Sequence, residues 1–281
     1  MDDSGTPGFV VVGDPIEHSL SPQIHHAFAD QFGIELEYAK VRVTPAQFDE
    51  FFDTFWTGGG VGANVTVPLK SHAHRYADTL DDFAIKAGAV NTLARRGDQI
   101  LGFNTDGIGL CRDLTNRQGV PIKDAIVLVL GAGGAARGIV SPLLEGGVSQ
   151  IVIANRTVER AQALSGDHGP GDRVVGCGFD DIGGHIDHPT LIINATSFAL
   201  DANTQDVPIG VQWLERAFCY DMSYGDKAVF AQWSRENGAI GSVDGLGMLV
   251  EQAAIAFEIW HGVAPATSPV MDDLHQQIGI I

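Results

Sequence analysis

The chain has 281 residues, enough for one large domain or two modest ones, and 44% of them are hydrophobic, as in an ordinary globular protein. Its formal net charge of −18 at pH 7 repels nucleic acids and anionic membranes, so we expect neither as a partner. The three cysteines lie far apart and form no CxxC motif, which indicates neither a disulfide framework nor a zinc site. No N-terminal secretory signal and no membrane-spanning apolar run is present, so we expect the protein in a reducing cytoplasm.

The first half of the chain alternates predicted strands with predicted helices. A short apolar run ends at Gly13, and Pro22 is well placed in the first turn of the helix that follows. Pro68 stops a later strand just before Lys70. This order of elements is typical of an α/β layer fold. The predicted strands are 9–13, 37–43 and 61–67, and the predicted helices are 22–32, 45–55 and one that begins near residue 70.

The second half continues the same alternation. A continuous apolar run at 125–130 predicts a strand that is buried on both faces. The apolar segment 247–261 is predicted as the final helix, packed deep in the protein, whereas 167–184 is rich in glycine and aspartate and predicts surface loops with one short strand. Further strands are predicted at 150–154, 190–194 and 217–222, and further helices at 107–118, after the glycine run to about 144, and at 158–164.

A glycine-rich loop follows the buried strand 125–130. Gly131, Gly133 and Ala136 fit the pattern G-x-G-x-x-[GA], with a helix after it and a second strand about twenty residues further on. Glycines there permit a tight turn, and backbone N–H groups at the helix N-terminus can approach a pyrophosphate. The alternative is a glycine-rich turn that binds nothing. The loop predicts a dinucleotide site formed by Gly131, Ala132, Gly133, Gly134, Ala135 and Ala136.

The end of the second strand indicates which dinucleotide binds. Folds that bind NAD usually place Asp or Glu there, but this chain has Asn155, Arg156 and Thr157, with Arg160 one turn later. Two guanidinium groups suit the 2′-phosphate of NADP, which prefers bidentate cationic partners. The alternative is a solvated helix start in which Glu159 pairs with either arginine. We therefore predict NADP as the cofactor.

Polar side chains recur where strands of the first half end. Ligands bind outside the carboxyl ends of strands in α/β sheets, so clustered hydroxyls and amides there suit a polyhydroxylated acid. A lone lysine is usually a solvated surface charge, but a lysine within reach of Asp106 would transfer a proton to or from a reacting oxygen. The polar groups are Ser19 and Ser21; Asn64, Thr66 and Lys70; Asn91 and Thr92; and Asn104, Thr105 and Asp106.

Nine motifs occur in order along nearly the whole chain: VGDPIEHSLSP (12–22), GANVTVPLK (62–70), GAVNT (88–92), NTDG (104–107), GAGG (131–134), NRT (155–157), INATS (193–197), YDM (220–222) and GLGML (245–249). Together these motifs resemble those of the shikimate dehydrogenase family.

The resemblance implies an oxidoreductase acting on a CH–OH group, which transfers hydride reversibly between NADP(H) and the C3 position of shikimate or 3-dehydroshikimate in aromatic amino acid (chorismate) biosynthesis. It implies Lys70 and Asp106 as the catalytic pair, with Lys70 as the acid and base. Ser19 and Ser21, helped by Tyr224, would hold the substrate carboxylate. The ring hydroxyls would be bound by Asn91, Asp106, Thr66 and Gln252.

On the cofactor side, the resemblance implies that residues 131–136 bind the pyrophosphate. Asn155, Arg156, Thr157 and Arg160 would bind the adenosine phosphate. For Met222 and Met248 the alternative is core filling, because methionine often fills irregular gaps. The residues expected around the nicotinamide end are Thr196, Met222, Gly245 and Met248.

The expected architecture is two α/β domains with the active site in the cleft between them. Residues 1–106 plus 245–281 would form the substrate-binding and catalytic domain, and 107–244 a Rossmann-like NADP-binding domain. We expect a monomer or a homodimer. No metal is expected, because no carboxylate or cysteine completes a ligand set with His18, His25 and His26.

Three departures from the family pattern stand out: the run 198–200 where a glycine is usual, Phe103 in place of a polar residue, and Asp244 where asparagine is frequent. None removes a predicted catalytic group. The alternatives that remain open are a quinate/shikimate dehydrogenase, a catalytically silent NADP-binding homologue and, more distantly, a lysine-using dehydrogenase of similar fold that acts on folates.

Overall fold

A computed structural model describes residues 7–169, 171, 173–196 and 207–278. The chain divides into two compact units: the first comprises Met1–Gly109 and Val250–Gly279, and the second comprises Leu110–Leu249. No helix among the described residues is long and apolar enough to cross a membrane. The domain limits predicted from the sequence, at 106/107 and 244/245, stay a prediction.

The first unit contains a six-stranded mixed sheet. Its strands are β1 (Phe9–Gly13), β2 (Tyr38–Arg42), β3 (Gly62–Val65), β4 (Thr79–Leu80), β5 (Thr92–Arg96) and β6 (Gln99–Phe103). They lie in the order β2-β1-β3-β5-β6-β4. The strand β1 runs parallel to β2 and β3, whereas β5 is antiparallel to both β3 and β6. The carboxyl end of β3 and the amino end of β5 therefore meet at one edge of the sheet.

Helices cover this sheet. They are α1 (Ser21–Asp30), α2 (Phe48–Thr57), α3 (Lys70–Tyr76), α4 (Asp82–Ala87), the start of α5 (Asp106–Arg112), most of α9 (Leu246–His261) and α10 (Thr267–Ile278). Trp260 of α9 donates its indole N–H to the Leu93 carbonyl at 3.0 Å and packs on Gly62, where a Cβ would lie only 2.5 Å from the indole nitrogen. Gly109 likewise lets α5 approach the backbone of Gln252, and these contacts position α9 in the first unit.

The second unit is a doubly wound parallel sheet. Its strands are β7 (Ile126–Leu130), β8 (Gln150–Ala154), β9 (Val174–Cys177), β10 (Leu191–Asn194), β11 (Phe218–Asp221) and β12 (Gly241–Val243), in the order β12-β11-β10-β7-β8-β9. All pairs are parallel, and β7, β8 and β10 consist mainly of buried aliphatic residues. The strand order reverses between β7 and β10, and ligands of such sheets bind at this switch point.

Helices of the second unit are α6 (Gly134–Glu145), α7 (Val158–Gly166) and α8 (Val229–Glu236). The helix predicted at 107–118 is α5 followed by a π-helical turn at Asp113–Arg117, in which the buried Asp113 carboxylate accepts a hydrogen bond from the Tyr220 hydroxyl at 2.6 Å. Because Gly247 packs directly on this carboxylate, the pair also fixes the start of α9.

The α/β class predicted from the sequence is confirmed, with differences in its elements. The hairpin β5–β6 and the short β4 and α4 were not predicted, because these segments are short and lack a clear period. The helix α8 and the short strand β12 were not predicted either. The segment 247–261 is not the final helix, since α10 follows it. The sequence of α10 alternates apolar and charged residues weakly, and among its residues 267–277 only Val270, Met271 and Leu274 are buried hydrophobics.

Candidate active site and cofactor site

Lys70 and Asp106 form an ion pair in the first unit. Lys70 is the first residue of α3, just past the turn that ends β3, and Asp106 begins α5 just past β6. The Lys70 Nζ donates to Asp106 Oδ2 at 2.5 Å, and both side chains are partly buried, with 29% and 13% of their surface exposed. The lysine is therefore not a solvated surface charge, and its ammonium is held where a ligand at this sheet edge can reach it.

Three further predicted residues surround Asp106. Asn91, just before β5, donates its side-chain amide to Asp106 Oδ1 at 2.9 Å and to Gln252 Oε1 at 3.1 Å. The hydroxyl of Thr105 lies 2.8 Å from the same amide nitrogen. Asn91 and Gln252 are buried and fixed by these bonds. The structure thus brings together Lys70, Asp106, Asn91 and Gln252, from four separate segments of the chain.

The predicted carboxylate site is a pair of hydroxyls at the start of α1. The Ser19 hydroxyl donates to the Ser21 hydroxyl at 3.2 Å and also accepts the Ser21 backbone N–H at 3.3 Å. Thr66 follows β3, and its hydroxyl forms no hydrogen bond to any other residue that the structure describes. Tyr224 belongs to the second unit, where it is partly buried in the loop after β11.

Two buried aromatic side chains, His25 and Tyr38, contact the polar residue Asn64, and the sequence analysis did not predict their pairing. The imidazole of His25 is fully buried and stacks on Tyr38 with centroids 4.7 Å apart. The Asn64 side-chain oxygen accepts the Tyr38 hydroxyl at 2.6 Å and lies 3.0 Å from His25 Nε2. Both residues sit at ordinary core positions of α1 and β2, so only their pairing in space reveals the contact.

Burial lowers the pKa of His25 to about 3, opposed by its hydrogen bond to Asn64. The folded protein therefore binds this proton much less readily than the unfolded chain does, and stability falls as the pH drops below the ordinary histidine pKa of 6.5. We expect the free energy of unfolding to lose about 2 kcal/mol from this group between pH 7 and pH 5.

Denaturant unfolding at both pH values, on wild type and His25→Phe, measures this loss. The Phe variant retains an aromatic ring and should lose less stability than wild type on acidification, by about 2 kcal/mol. Phe28→Leu, which alters an aromatic neighbour 6.1 Å away, is the control and should keep the wild-type pH dependence. An equal pH dependence in wild type and His25→Phe would show that His25 is not the titrating group.

The glycine loop in the second unit leaves its backbone accessible at the switch point. Gly131 has a φ of +103°, and Gly133 caps α6. A Cβ on Gly133 or Gly134 would meet nothing within 4 Å, so the space in front of these residues is open. Their N–H groups lie at the start of α6, where no helical carbonyl can accept them. The residues present therefore fit a pyrophosphate.

Asn155 and two arginines lie beside this loop, at the end of β8. The Asn155 side chain accepts the Ala132 N–H at 3.2 Å and donates to the Thr157 carbonyl at 2.8 Å, which ties the strand end to the glycine loop. Arg156 and Arg160 are exposed. Neither guanidinium pairs with Glu159, or with any other residue in the described part of the chain. Both are therefore available to a phosphate.

The residues predicted to surround the nicotinamide ring of the cofactor follow the carboxyl ends of β10, β11 and β12. The Thr196 hydroxyl donates to Asn194 at 2.6 Å, and its methyl group lies under Gly131. Gly245 donates its N–H to the Ser223 carbonyl at 2.8 Å and packs on the Met222 carbonyl. Met248 is 9% exposed and belongs to the hydrophobic core of the second unit, and Met222 packs against that core. Both side chains therefore contribute to core packing.

The departures from the family pattern have local explanations where the structure describes them. Asp244 accepts the N–H groups of Gly225 and Leu246, so its carboxylate joins two loops. Phe103 packs against the apolar cluster of the first unit. The run 198–200 lies outside the described residues.

In the part of the chain that the structure describes, no group of three or more His, Cys, Asp or Glu side chains is arranged to hold a metal ion.

We expect Gly131→Ala to destabilise the second unit and weaken cofactor binding together. A Cβ would lie 2.9 Å from Thr196 Cγ2 and 3.0 Å from the Ala195 carbonyl oxygen, at a φ that alanine rarely adopts. Such strain costs about 1–3 kcal/mol. Thermal unfolding and titration with NADPH measure the two effects. Gly166→Ala, where a Cβ meets nothing, is the control and should change neither; a Gly131→Ala protein with wild-type values of both would contradict the geometry.

A parallel sheet with an open glycine loop at its switch point, joined in one chain to a unit that carries a lysine–aspartate pair, is typical of a nicotinamide dinucleotide-dependent α/β oxidoreductase. Family models match three segments of the chain. The shikimate dehydrogenase substrate binding domain matches residues 11–93, shikimate / quinate 5-dehydrogenase matches 113–206, and the shikimate 5′-dehydrogenase C-terminal domain matches 245–274.

Individual proteins agree with these models. The chain is 46% identical over 276 residues to shikimate dehydrogenase (NADP(+)) of Alcanivorax borkumensis, covering 97% of this chain and 98% of the relative. An Ael1 enzyme from Pseudomonas putida shares the fold with a TM-score of 0.88 and 38% identity, over 95% of this chain and 97% of that one. Shikimate 5-dehydrogenase from Thermus thermophilus, solved with NADP(H) and shikimate, has a TM-score of 0.82 and 29% identity, over 96% and 98%. The chain belongs to the shikimate dehydrogenase family, which confirms the resemblance seen in its motifs.

Proposed function

We propose that this protein is an NADP-dependent shikimate dehydrogenase, which reduces 3-dehydroshikimate to shikimate reversibly in aromatic amino acid biosynthesis. The observation that carries the proposal is the Lys70–Asp106 ion pair of 2.5 Å, set among buried amides in the unit that matches the substrate-binding family model. The name of the Alcanivorax relative and the ligands of the Thermus structure support both the substrate and the cofactor.

Lys70 is the acid and base of the proposed reaction. When NADPH is bound, its nicotinamide ring supplies the hydride that adds to the ketone carbon. The Lys70 ammonium donates a proton to the oxygen of that carbon as negative charge develops there, and in the oxidation direction the neutral amine accepts the proton. Asp106 orients Lys70 through the ion pair and accepts a hydrogen bond from a neighbouring substrate hydroxyl.

The remaining polar groups of the first unit orient the substrate. Ser19 and Ser21 donate hydroxyl hydrogen bonds to its carboxylate, and we assign Tyr224 to the same carboxylate. Thr66, Asn91 and Gln252 bind ring hydroxyls together with Asp106. A reactant held by several fixed donors loses little further freedom on the way to the transition state, which favours turnover.

The second unit would hold the cofactor through the residues predicted from the sequence. Residues 131–136 present backbone N–H groups to the pyrophosphate, and Arg156 and Arg160 pair with the 2′-phosphate, beside Asn155 and Thr157. Thr196, Met222, Gly245 and Met248 border the nicotinamide end. We assign the first unit to substrate binding and the second to cofactor binding; the location of the active site in a cleft between domains stays a prediction.

Two rivals differ in testable ways. A quinate/shikimate dehydrogenase would accept the extra hydroxyl at C1, near the Ser19–Ser21 pair. A catalytically silent NADP-binding homologue would not need an ion-paired lysine at the substrate site, and the Lys70–Asp106 contact favours the enzyme. We further propose a cytoplasmic protein, since all three cysteines are unpaired, as is usual in a reducing compartment. For its oligomeric state we propose a monomer or a homodimer.

Incubation of the protein with shikimate and NADP⁺ tests the proposal. We expect NADPH to form together with an equal amount of 3-dehydroshikimate, identified by mass spectrometry. Binding of NADPH without any turnover of shikimate would favour the silent homologue and overturn the proposal. Turnover of quinate at a comparable rate would replace it with the broader specificity.

A further inference from the structure

A continuous chain of hydrogen bonds runs from the core of the first unit to the catalytic pair. It begins at Asn64, whose side-chain oxygen accepts from two buried donors, the Tyr38 hydroxyl at 2.6 Å and His25 Nε2 at 3.0 Å. Burial raises the pKa of Tyr38 and lowers that of His25, so the phenol keeps its proton and the imidazole stays neutral. With its oxygen occupied in this way, the Asn64 amide can only present its nitrogen in the opposite direction.

Thr92 is the next link. The Asn64 amide nitrogen donates to the Thr92 hydroxyl oxygen at 3.2 Å. Since that oxygen receives a hydrogen from Asn64, the hydroxyl's own hydrogen is directed to the Asn91 side-chain oxygen, 3.1 Å away. Thr92 is fully buried at the start of β5, paired with Asn64 across β3 and β5. Its methyl group and hydroxyl are therefore held by the sheet.

Asn91 links this chain of hydrogen bonds to Asp106. Its side-chain oxygen accepts from Thr92 and from the Thr105 N–H at 3.0 Å, so its nitrogen faces the catalytic carboxylate. That nitrogen donates to Asp106 Oδ1 at 2.9 Å, while Lys70 occupies Oδ2. If the amide turned over, its oxygen would face the carboxylate, and two acceptors would repel each other at this distance.

We propose that Thr92 is a positioning residue, whose hydroxyl sets the orientation of the Asn91 amide and thereby holds Asp106 and Lys70 in the geometry for proton transfer. This inference rests on the proposed function and deepens it. Thr92 is fully buried, and its hydroxyl is hydrogen-bonded to Asn64 and Asn91, so we infer that it acts through Asn91. In the network described above, the Thr92 hydroxyl is the group that joins the side-chain amide of Asn64 to the side-chain amide of Asn91.

The experiment compares Thr92→Val with Thr92→Ser. Valine matches threonine in shape and removes the hydroxyl, so the Asn64 nitrogen loses an acceptor and the Asn91 oxygen loses a donor. We expect kcat for shikimate oxidation to fall about tenfold or more with KM changed by a smaller factor, and the pH profile of kcat to shift, because the loss of a buried hydroxyl leaves neighbouring amide groups without a hydrogen-bond partner. Serine keeps the hydroxyl and should restore kcat to within about threefold and the pH profile to that of wild type.

Ser234→Ala is the control for stability. It removes a buried hydroxyl with two hydrogen bonds from the second unit, and it should lower the melting temperature without changing kcat. Tyr38→Phe, made in parallel, removes a donor at the far end of the chain and should lower kcat in the same direction, which keeps the test open if Thr92→Val fails to fold. Folded Thr92→Val with wild-type kcat and pH profile, or an equal loss in Thr92→Ser, would overturn the positioning role. If the wild-type protein does not oxidise shikimate, that result would instead overturn the proposed function.

Discussion

Replacement of Lys70 by alanine should lower kcat for shikimate oxidation by at least about 100-fold, because positioned general acid–base groups contribute this much or more. The KM for shikimate should stay within a few-fold of wild type, since the carboxylate and ring hydroxyls are assigned to other side chains. The proposed role of Lys70 as acid and base rests on its ion pair with Asp106 at 2.5 Å. Steady-state kinetics over a range of shikimate concentrations separate the two constants.

Lys86→Ala is the matched control for this prediction. Lys86 is an exposed lysine of the same unit, placed 5.9 Å from the centre of the Phe83 ring, and its loss should leave both constants unchanged. A Lys70→Ala protein that keeps kcat would show that another group transfers the proton. A large rise in KM at unchanged kcat would assign Lys70 to substrate binding alone.

The double variant Arg156→Ala, Arg160→Ala should lose affinity for NADP⁺ and not for NAD⁺. Both guanidinium groups are exposed beside the glycine loop and have no carboxylate partner among the described residues. Hydrogen bonds to charged groups contribute about 1.5–3 kcal/mol each, so the Kd for NADP⁺ should rise roughly 100-fold or more. NAD⁺ lacks the 2′-phosphate, and its Kd should change by less than about threefold.

Calorimetric titration of both dinucleotides measures the difference. Arg235→Ala removes an arginine from α8 of the same unit and is the control for the lost positive charge; it should leave both dissociation constants unchanged. An equal loss of NADP⁺ and NAD⁺ affinity in the double variant would mean that the arginines act on the loop or on the shared pyrophosphate. It would remove the physical basis for preferring NADP in this chain.

The repeating order of strands and helices, and the glycine loop after a buried strand, were sufficient to predict the α/β class. Strand β8 was predicted at its observed limits, 150–154, because its apolar run is bounded by polar residues. The motifs also identified the family correctly. These features are local in the sequence, and local patterns survive in the fold whenever tertiary packing agrees with them.

Other features depend on contacts between distant segments. The sheet places Thr92 of β5 opposite Asn64 of β3 and Phe103 of β6, but the residues of the hairpin β5–β6 follow no clear alternation. The burial of His25 against Tyr38 could not be deduced from either residue, because each occupies an ordinary apolar position of its element. The Lys70–Asp106 distance follows only from the meeting of β3, β5 and β6 in one sheet. From the sequence, the proximity of Lys70 and Asp106 was therefore only a hypothesis, and the structure supplies the distance between them.

A steady-state assay that crosses two substrates with two cofactors tests whether this protein is an NADP-dependent shikimate dehydrogenase. The specificity constant kcat/KM is measured for shikimate and for quinate, each with NADP⁺ and with NAD⁺. We predict the highest value for shikimate with NADP⁺, above shikimate with NAD⁺ by about 100-fold, as expected for two charged phosphate contacts, and above quinate with either cofactor. Equal use of the two cofactors, or a preference for quinate, or no turnover with any pair, would contradict the assignment of this protein as an NADP-dependent shikimate dehydrogenase.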